Sequence, residues 1–158
     1  LPRTTVDDSE LSLLTSLVSL RQLVLGGAVG DAGMETIADC PSLEIVNLPH
    51  ATFTDTGLAR LKQLPLLTLL RFGSPHVTDA GMEHLAGMPN LRFVHLIDVP
   101  ITDAGLDSLK RVTLLESFYL DGSRCSEEGL TCLLKSHPGL HLHVNQLHVA
   151  GDEHAHEH

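Results

Sequence analysis

The chain has 158 residues, 42% of them hydrophobic and 19% charged, which suits one domain with a sizeable core and excludes a disordered chain. Twenty Asp and Glu against ten Lys and Arg give a formal charge of −10, a balance that repels phosphates and argues against a nucleic-acid partner. No apolar run approaches the roughly 18 residues that membrane insertion needs, and with no Trp, one Tyr and four Phe the stacking platforms of single-strand binders are missing as well.

In chain order, Val6-Asp7-Asp8-Ser9-Glu10-Leu11, with Leu14 and Leu17, reads as a short helical segment. Leu23-Val24-Leu25 reads as a strand, Gly26-Gly27-Ala28-Val29-Gly30 as a turn, and Asp31-Ala32-Gly33-Met34 as the start of the next helix. The run lacks the G-x-G-x-x-G spacing of a dinucleotide loop, and Asp31 at the helix start would repel a pyrophosphate. The same units then recur. Glycines stand at Gly33, Gly57, Gly81, Gly105 and Gly129, in steps of 24. Asp31, Asp55, Asp79, Asp103 and Glu127 precede them by two residues, and Met34, Leu58, Met82, Leu106 and Leu130 follow them. A second register, Leu43, Leu67, Leu91 and Leu115, has the same step. A period in this range marks a solenoid.

Within one copy, Leu91, Val94 and Leu96 follow L-x-x-L-x-L, and the alternation of the last two predicts a strand. Leu106, Leu109 and Val112 line one face of a short helix, with Thr102 or Asp103 as its N-cap. Gly105 lies in the first turn against its helix propensity, which points to close packing between successive coils. Near the end, Leu142, Val144 and Val149 stand 24 residues after Phe118, Leu120 and Cys125 and predict a last strand without its helix. The ruler thus counts six strands and six helical segments. Residues 1–149 form the repeat domain (a half-repeat, five repeats and a final strand), and residues 150–158 form a His-rich acidic tail. The chain opens in mid-repeat with no polar cap, so a longer parent chain, a partner or an oligomer is expected to cover the N-terminal edge.

Ile101-Thr102-Asp103-Ala104-Gly105-Leu106 and its four sister segments, with their strands, resemble the short T-D-x-G-L leucine-rich repeats of planctomycete and other bacterial proteins and the cysteine-containing repeats of F-box-type proteins. The resemblance spans about residues 6–149. It implies an α/β leucine-rich repeat solenoid, right-handed, with a parallel sheet on the concave face and short helices on the convex face. It also implies that the partners are other proteins. One departure stands out. The turn column where such repeats carry Asn or Cys reads Ala51, Pro75, Val99, Ser123 and Leu147.

Stacked parallel strands put equal positions into columns. Val94 and Leu96 with their equivalents point inward. The outward columns are Ile45, Leu69, Phe93, Ser117, His141; then Asn47, Arg71, His95, Tyr119, His143; then Pro49, Gly73, Ile97, Asp121, Asn145. Of these, Ile45, Asn47, Leu69, Arg71, Phe93, His95, Ile97, Tyr119, Asp121 and His143 make up a partner-binding face, with Ile45, Leu69, Phe93 and Ile97 turned to solvent and Arg71 and Tyr119 as anchor types. The expected function is protein recognition without catalysis or cofactor, because no nucleophile and base share a column. The alternatives are an assembly subunit that contacts its complex through the solenoid ends, and a metal-responsive module. For the latter, His141 and His143 project from one strand face beside Tyr119 and Asp121, and His154, His156 and His158 alternate in the tail. Against these stand solvated histidines at a strand end and a disordered tail. Eleven histidines also make the charge, and any interface through His95 and His143, pH-dependent. Cys40 and Cys125 fall in inward columns and Cys132 in an exposed one, leaving Cys132 as the reactive thiol. Three sparse cysteines lean towards a reducing, cytoplasmic compartment.

Overall fold

The computed structural model describes residues 6–145 and 147–148. Leu-x-x-Leu-x-Leu segments become strands because alternate side chains are buried: β2 (Ile45–Leu48), β3 (Leu69–Phe72), β4 (Phe93–Ile97) and β5 (Ser117–Asp121) alternate half-buried or exposed with buried positions. With β1 (Gln22–Val24) and β6 (His141–Val144) they form one parallel sheet in sequence order, each joined to the next by a helical crossover. The crossovers hold α1 (Asp31–Ala38), α2 (Asp55–Arg60), α3 (Asp79–Met82), α4 (Asp103–Leu109) and α5 (Glu127–Ser136). Short 3-10 turns at Leu61–Gln63 and Glu83–Gly87 extend α2 and α3. The 24-residue period is the strand register itself: Ile45 pairs with Leu69, Leu69 with Phe93, Phe93 with Ser117 and Ser117 with His141.

One continuous apolar core runs between sheet and helices. Val94, Leu96, Leu106 and Leu109 are buried within it, and Phe53 and Phe72 meet at 5.2 Å between ring centroids. Each fully buried side chain of this kind contributes about 1.5–3 kcal/mol.

The cap is the threonine. Thr102 Oγ1 accepts from the Ala104 amide at 3.3 Å, as Thr54 and Thr78 accept from Thr56 and Ala80. The aspartate serves the next coil instead. Asp31 accepts from the Thr54 amide and hydroxyl, Asp55 from Thr78, Asp79 from Thr102, and Asp103 from Ser126, all at 2.5–2.8 Å. Asp8 starts the series with the Gly30 amide at 2.9 Å. The ladder explains the glycines, since a Cβ on Gly57 would come within 2.4 Å of Asp31 Oδ1. Close packing between coils therefore has a carboxylate at its centre.

The missing Asn column is replaced by backbone. Ala51 and Val99 are buried there, while the Thr52 amide donates to the Val29 carbonyl at 2.8 Å and Arg124 to Ile101 at 3.1 Å. In the coil with Pro75, the Ser74 hydroxyl donates to the Phe53 carbonyl at 2.7 Å.

Three expectations change. The first helical segment is a 3-10 helix, Glu10–Ser16, and Leu17 lies at its exposed C-cap rather than in the apolar face. The last strand is not terminal, because β7 (Leu147–His148) folds back antiparallel on β6; Val149 and the tail lie outside the described residues. The last coil also slips. The Leu140 amide donates to the His137 carbonyl as Leu115 does to Val112, so α5 gains one residue and the link to β6 loses one. His137 thereby enters the core, where its Nε2–H donates to the Val112 carbonyl at 2.9 Å.

Candidate functional site

The predicted outward columns face away from the core. Ile45, Leu69, Phe93 and Ile97 are half-buried rather than turned fully to solvent. Strands about 4.8 Å apart pack these side chains shoulder to shoulder, which covers much of each. Tyr119, 38% exposed, is the open aromatic of the face.

Three residues of the second column are linked across their strands and joined to Asp121 of the third column on a fourth strand. Arg71 donates from Nη1 to Asn47 Oδ1 at 2.9 Å and from Nε to His95 Nδ1 at 3.1 Å. His95 Nε2 lies 2.9 Å from Asp121 Oδ2. An Arg N–H can only donate, so His95 accepts on Nδ1 and donates from Nε2 to Asp121. Tyr119 continues the column, with its ring 5.4 Å from that of His95 and stacked on His143 at 4.3 Å and 5°. Positions that the sequence could only align are thus tied into one surface, with rotamers set by their neighbours.

Beside this chain lies a hollow of about 290 Å3, lined by Leu69, Arg71, Phe93, Val94, His95, Ser117 and Tyr119. Ile97 does not join it. It lines a separate depression of about 390 Å3 with Pro49, Gly73, Ser74 and Asp98. A Cβ on Gly73 would meet the Pro49 carbonyl at 2.5 Å and the Ile97 carbonyl at 2.9 Å, so no side chain fits at that position of the column. Ile45 lines neither hollow. Charge at the entrance to the sheet is neutralised by the Arg21–Glu44 and Arg92–Glu116 pairs.

His141 and His143 share the outer face of β6, and the His143 ring is stacked on Tyr119. No group of three or more His, Cys, Asp or Glu close enough to hold a metal ion occurs among the described residues. His154, His156 and His158 lie outside them. The cysteine expectations need correction. Cys40 is buried, but Cys125 is only half-buried, and Cys132 is half-buried as well. Burial raises the thiol pKa of both Cys40 and Cys125.

The N-terminal edge, expected to need covering, carries exposed apolar side chains that the repeat pattern does not single out. Leu13 is 76% exposed, Val18 69%, Val24 55% and Leu17 49%. Among the described residues, β1 pairs only with β2 and leaves its outer edge open. The signal available was the run Leu13-Leu14 beside Leu11, which puts apolar residues on two faces of one turn.

The parallel sheet in sequence order and the crossover helices define an α/β leucine-rich repeat solenoid. Solved structures agree. An internalin (inlF) from Listeria monocytogenes str. 4b F2365 matches with a TM-score of 0.60 and 18% identity over 90% of this chain. Internalin C2 (inlC2) of the same strain matches with a TM-score of 0.59 and 20% identity over 95% of this chain. The chain spans 46% of the first internalin and 72% of the second. No family model matches the chain, and no curated protein does. No described helix is long and apolar enough to cross a membrane.

Proposed function

We propose that this solenoid is a non-catalytic protein-recognition module that takes its partner on the concave sheet face, and that its coils are of the short T-D-x-G-L type. The observation that carries the reading is the hydrogen-bonded chain Asn47–Arg71–His95–Asp121 with Tyr119 beside an apolar hollow. Side chains already fixed by one another lose little freedom on binding, and Arg and Tyr are the residue types that anchor interfaces. Ile45, Asn47, Leu69, Phe93, Ile97 and His143 extend the contact surface around them.

The test is affinity capture from a lysate of the source cells, quantified by mass spectrometry, comparing wild type with Arg71→Glu/Tyr119→Ala. A protein held by wild type and lost by the double variant supports the concave site. Equal capture by both overturns it.

A second reading, an assembly subunit docking through its end, is favoured by the exposure of Leu13, Leu17, Val18 and Val24 beside the open edge of β1. Its variant is Leu13→Lys/Val18→Lys. Loss of the partner in that variant alone assigns the contact to the end of the solenoid.

A further inference from the structure

Arg71 is the only Lys or Arg in the three outward columns. Four other cations have carboxylate partners: Arg21 with Glu44, Arg60 with Glu35, Arg92 with Glu116 and Lys110 with Asp107. The partners of Arg71 are both neutral, the Asn47 amide oxygen and His95 Nδ1. Its Nη2 has no partner among the described residues, although the side chain is half-buried. The carboxylate of Asp121 is bound on the far nitrogen of the same imidazole. A partly desolvated guanidinium, held in position with one nitrogen open, lacks its countercharge.

We infer that Arg71 receives a single carboxylate from the partner, supplied by an Asp or Glu side chain of an extended peptide segment whose neighbouring apolar side chain fills the hollow lined by Leu69, Phe93 and Tyr119. The inference rests on the concave reading and specifies what it binds. Three features select this ligand. Arg71 itself lines the hollow, so the acidic and apolar groups must lie close together, as they do within about 3.3–6.6 Å along an extended chain. One lone cation suits one unit of negative charge, whereas phosphate recognition uses clusters of arginines. A chain with a formal charge of −10 repels multiply charged ligands more strongly than singly charged ones. Asp121, two strand spacings or about 10 Å from the Arg71 strand, disfavours a second acid on that side.

The experiment is a selection from random 12-residue peptides, displayed without a free carboxyl terminus, on the immobilised full chain. Enriched peptides are then made with blocked ends. The expected result is enrichment of Asp or Glu within two residues of an aromatic or aliphatic residue. Changing that acid to Asn or Gln, or the protein by Arg71→Gln, weakens binding at least about tenfold, the two changes together weaken it no further, and Arg71→Lys recovers part of the loss. Thermal melts confirm that the variants fold. Failure to enrich any peptide, enrichment of acid-free peptides, or unchanged affinity of Arg71→Gln overturns the inference. Binding only by peptides with a free terminus assigns the carboxylate to a C-terminus and overturns the side-chain assignment. Tighter binding of a phosphoserine peptide overturns the single-charge requirement. Tyr119→Ala separates the two claims: if it weakens binding while Arg71→Gln does not, the concave site stands and the carboxylate inference fails, and if neither weakens it, both fail.

Discussion

Asp79 in one coil accepts both the backbone amide and the hydroxyl of Thr102 in the next, at 2.7 and 2.6 Å. It also takes the Gly105 amide at 3.1 Å. The same hydroxyl caps its own helix through the Ala104 amide. One Asp–Thr pair thus starts a helix and fastens two coils together. Asp79→Ala is expected to cost about 2 kcal/mol, the range for hydrogen bonds to a charged acceptor. Thr102→Val is expected to cost about 1 kcal/mol for the cap alone. Urea unfolding of both single variants and the double variant checks the link, because the combined loss must be smaller than the sum.

Gly57 and Gly26 form a matched pair. A Cβ on Gly57 would meet Asp31 Oδ1 at 2.4 Å and Phe53 Cβ at 2.8 Å, whereas nothing lies within 4 Å of one on Gly26. Gly57→Ala is expected to destabilise the chain by about 1–3 kcal/mol through overpacking. Gly26→Ala is expected to be neutral or to stabilise by about 0.4–1 kcal/mol through the unfolded chain. Thermal melts of the two variants side by side give the answer.

One rung of the ladder, Asp103, carries a pH signature. Hydrogen bonds from the Ser126 hydroxyl, then from its amide, hold the Asp103 carboxyl below its ordinary 3.8. A lowered native value means that the contribution is present above 3.8 and fades as pH falls from there through the native value. Unfolding midpoints are expected to drop as pH falls below 3.8. In Asp103→Asn that part of the drop is expected to shrink.

Thiol chemistry separates the three cysteines. Cys40 is buried, and burial raises its pKa above 9.0. It is expected to resist iodoacetamide at pH 8 until the chain unfolds, because the thiolate is the reacting form. Cys125 is raised too but is half-buried, so it is expected to label more slowly than Cys132 and faster than Cys40. Peptide mapping after timed labelling gives the order.

Much of the fold was legible because a solenoid turns sequence period into strand register. Leucines 24 residues apart become neighbours on adjacent strands, and the outward columns follow from alternation. What escaped was set by contacts between coils. Local capping rules assign Asp103 to its own helix, while its carboxylate sits on Ser126, 23 residues away. The recurrence of Asp, Thr and a Cβ-less residue in one register was the available signal. The Arg71–His95–Asp121 chain depends on rotamers, which alignment does not supply. The slip that brings His137 into the core depends on two compensating single-residue changes, which leave the period at Leu142 intact.

Photo-crosslinking locates the partner most directly. Benzoylphenylalanine is placed at Phe93 on the concave face in one preparation and at Leu13 on the N-terminal end in another. The concave reading predicts that the captured partner crosslinks from position 93 and not from position 13. Crosslinking from position 13 alone would contradict it and place the interface at the end of the solenoid.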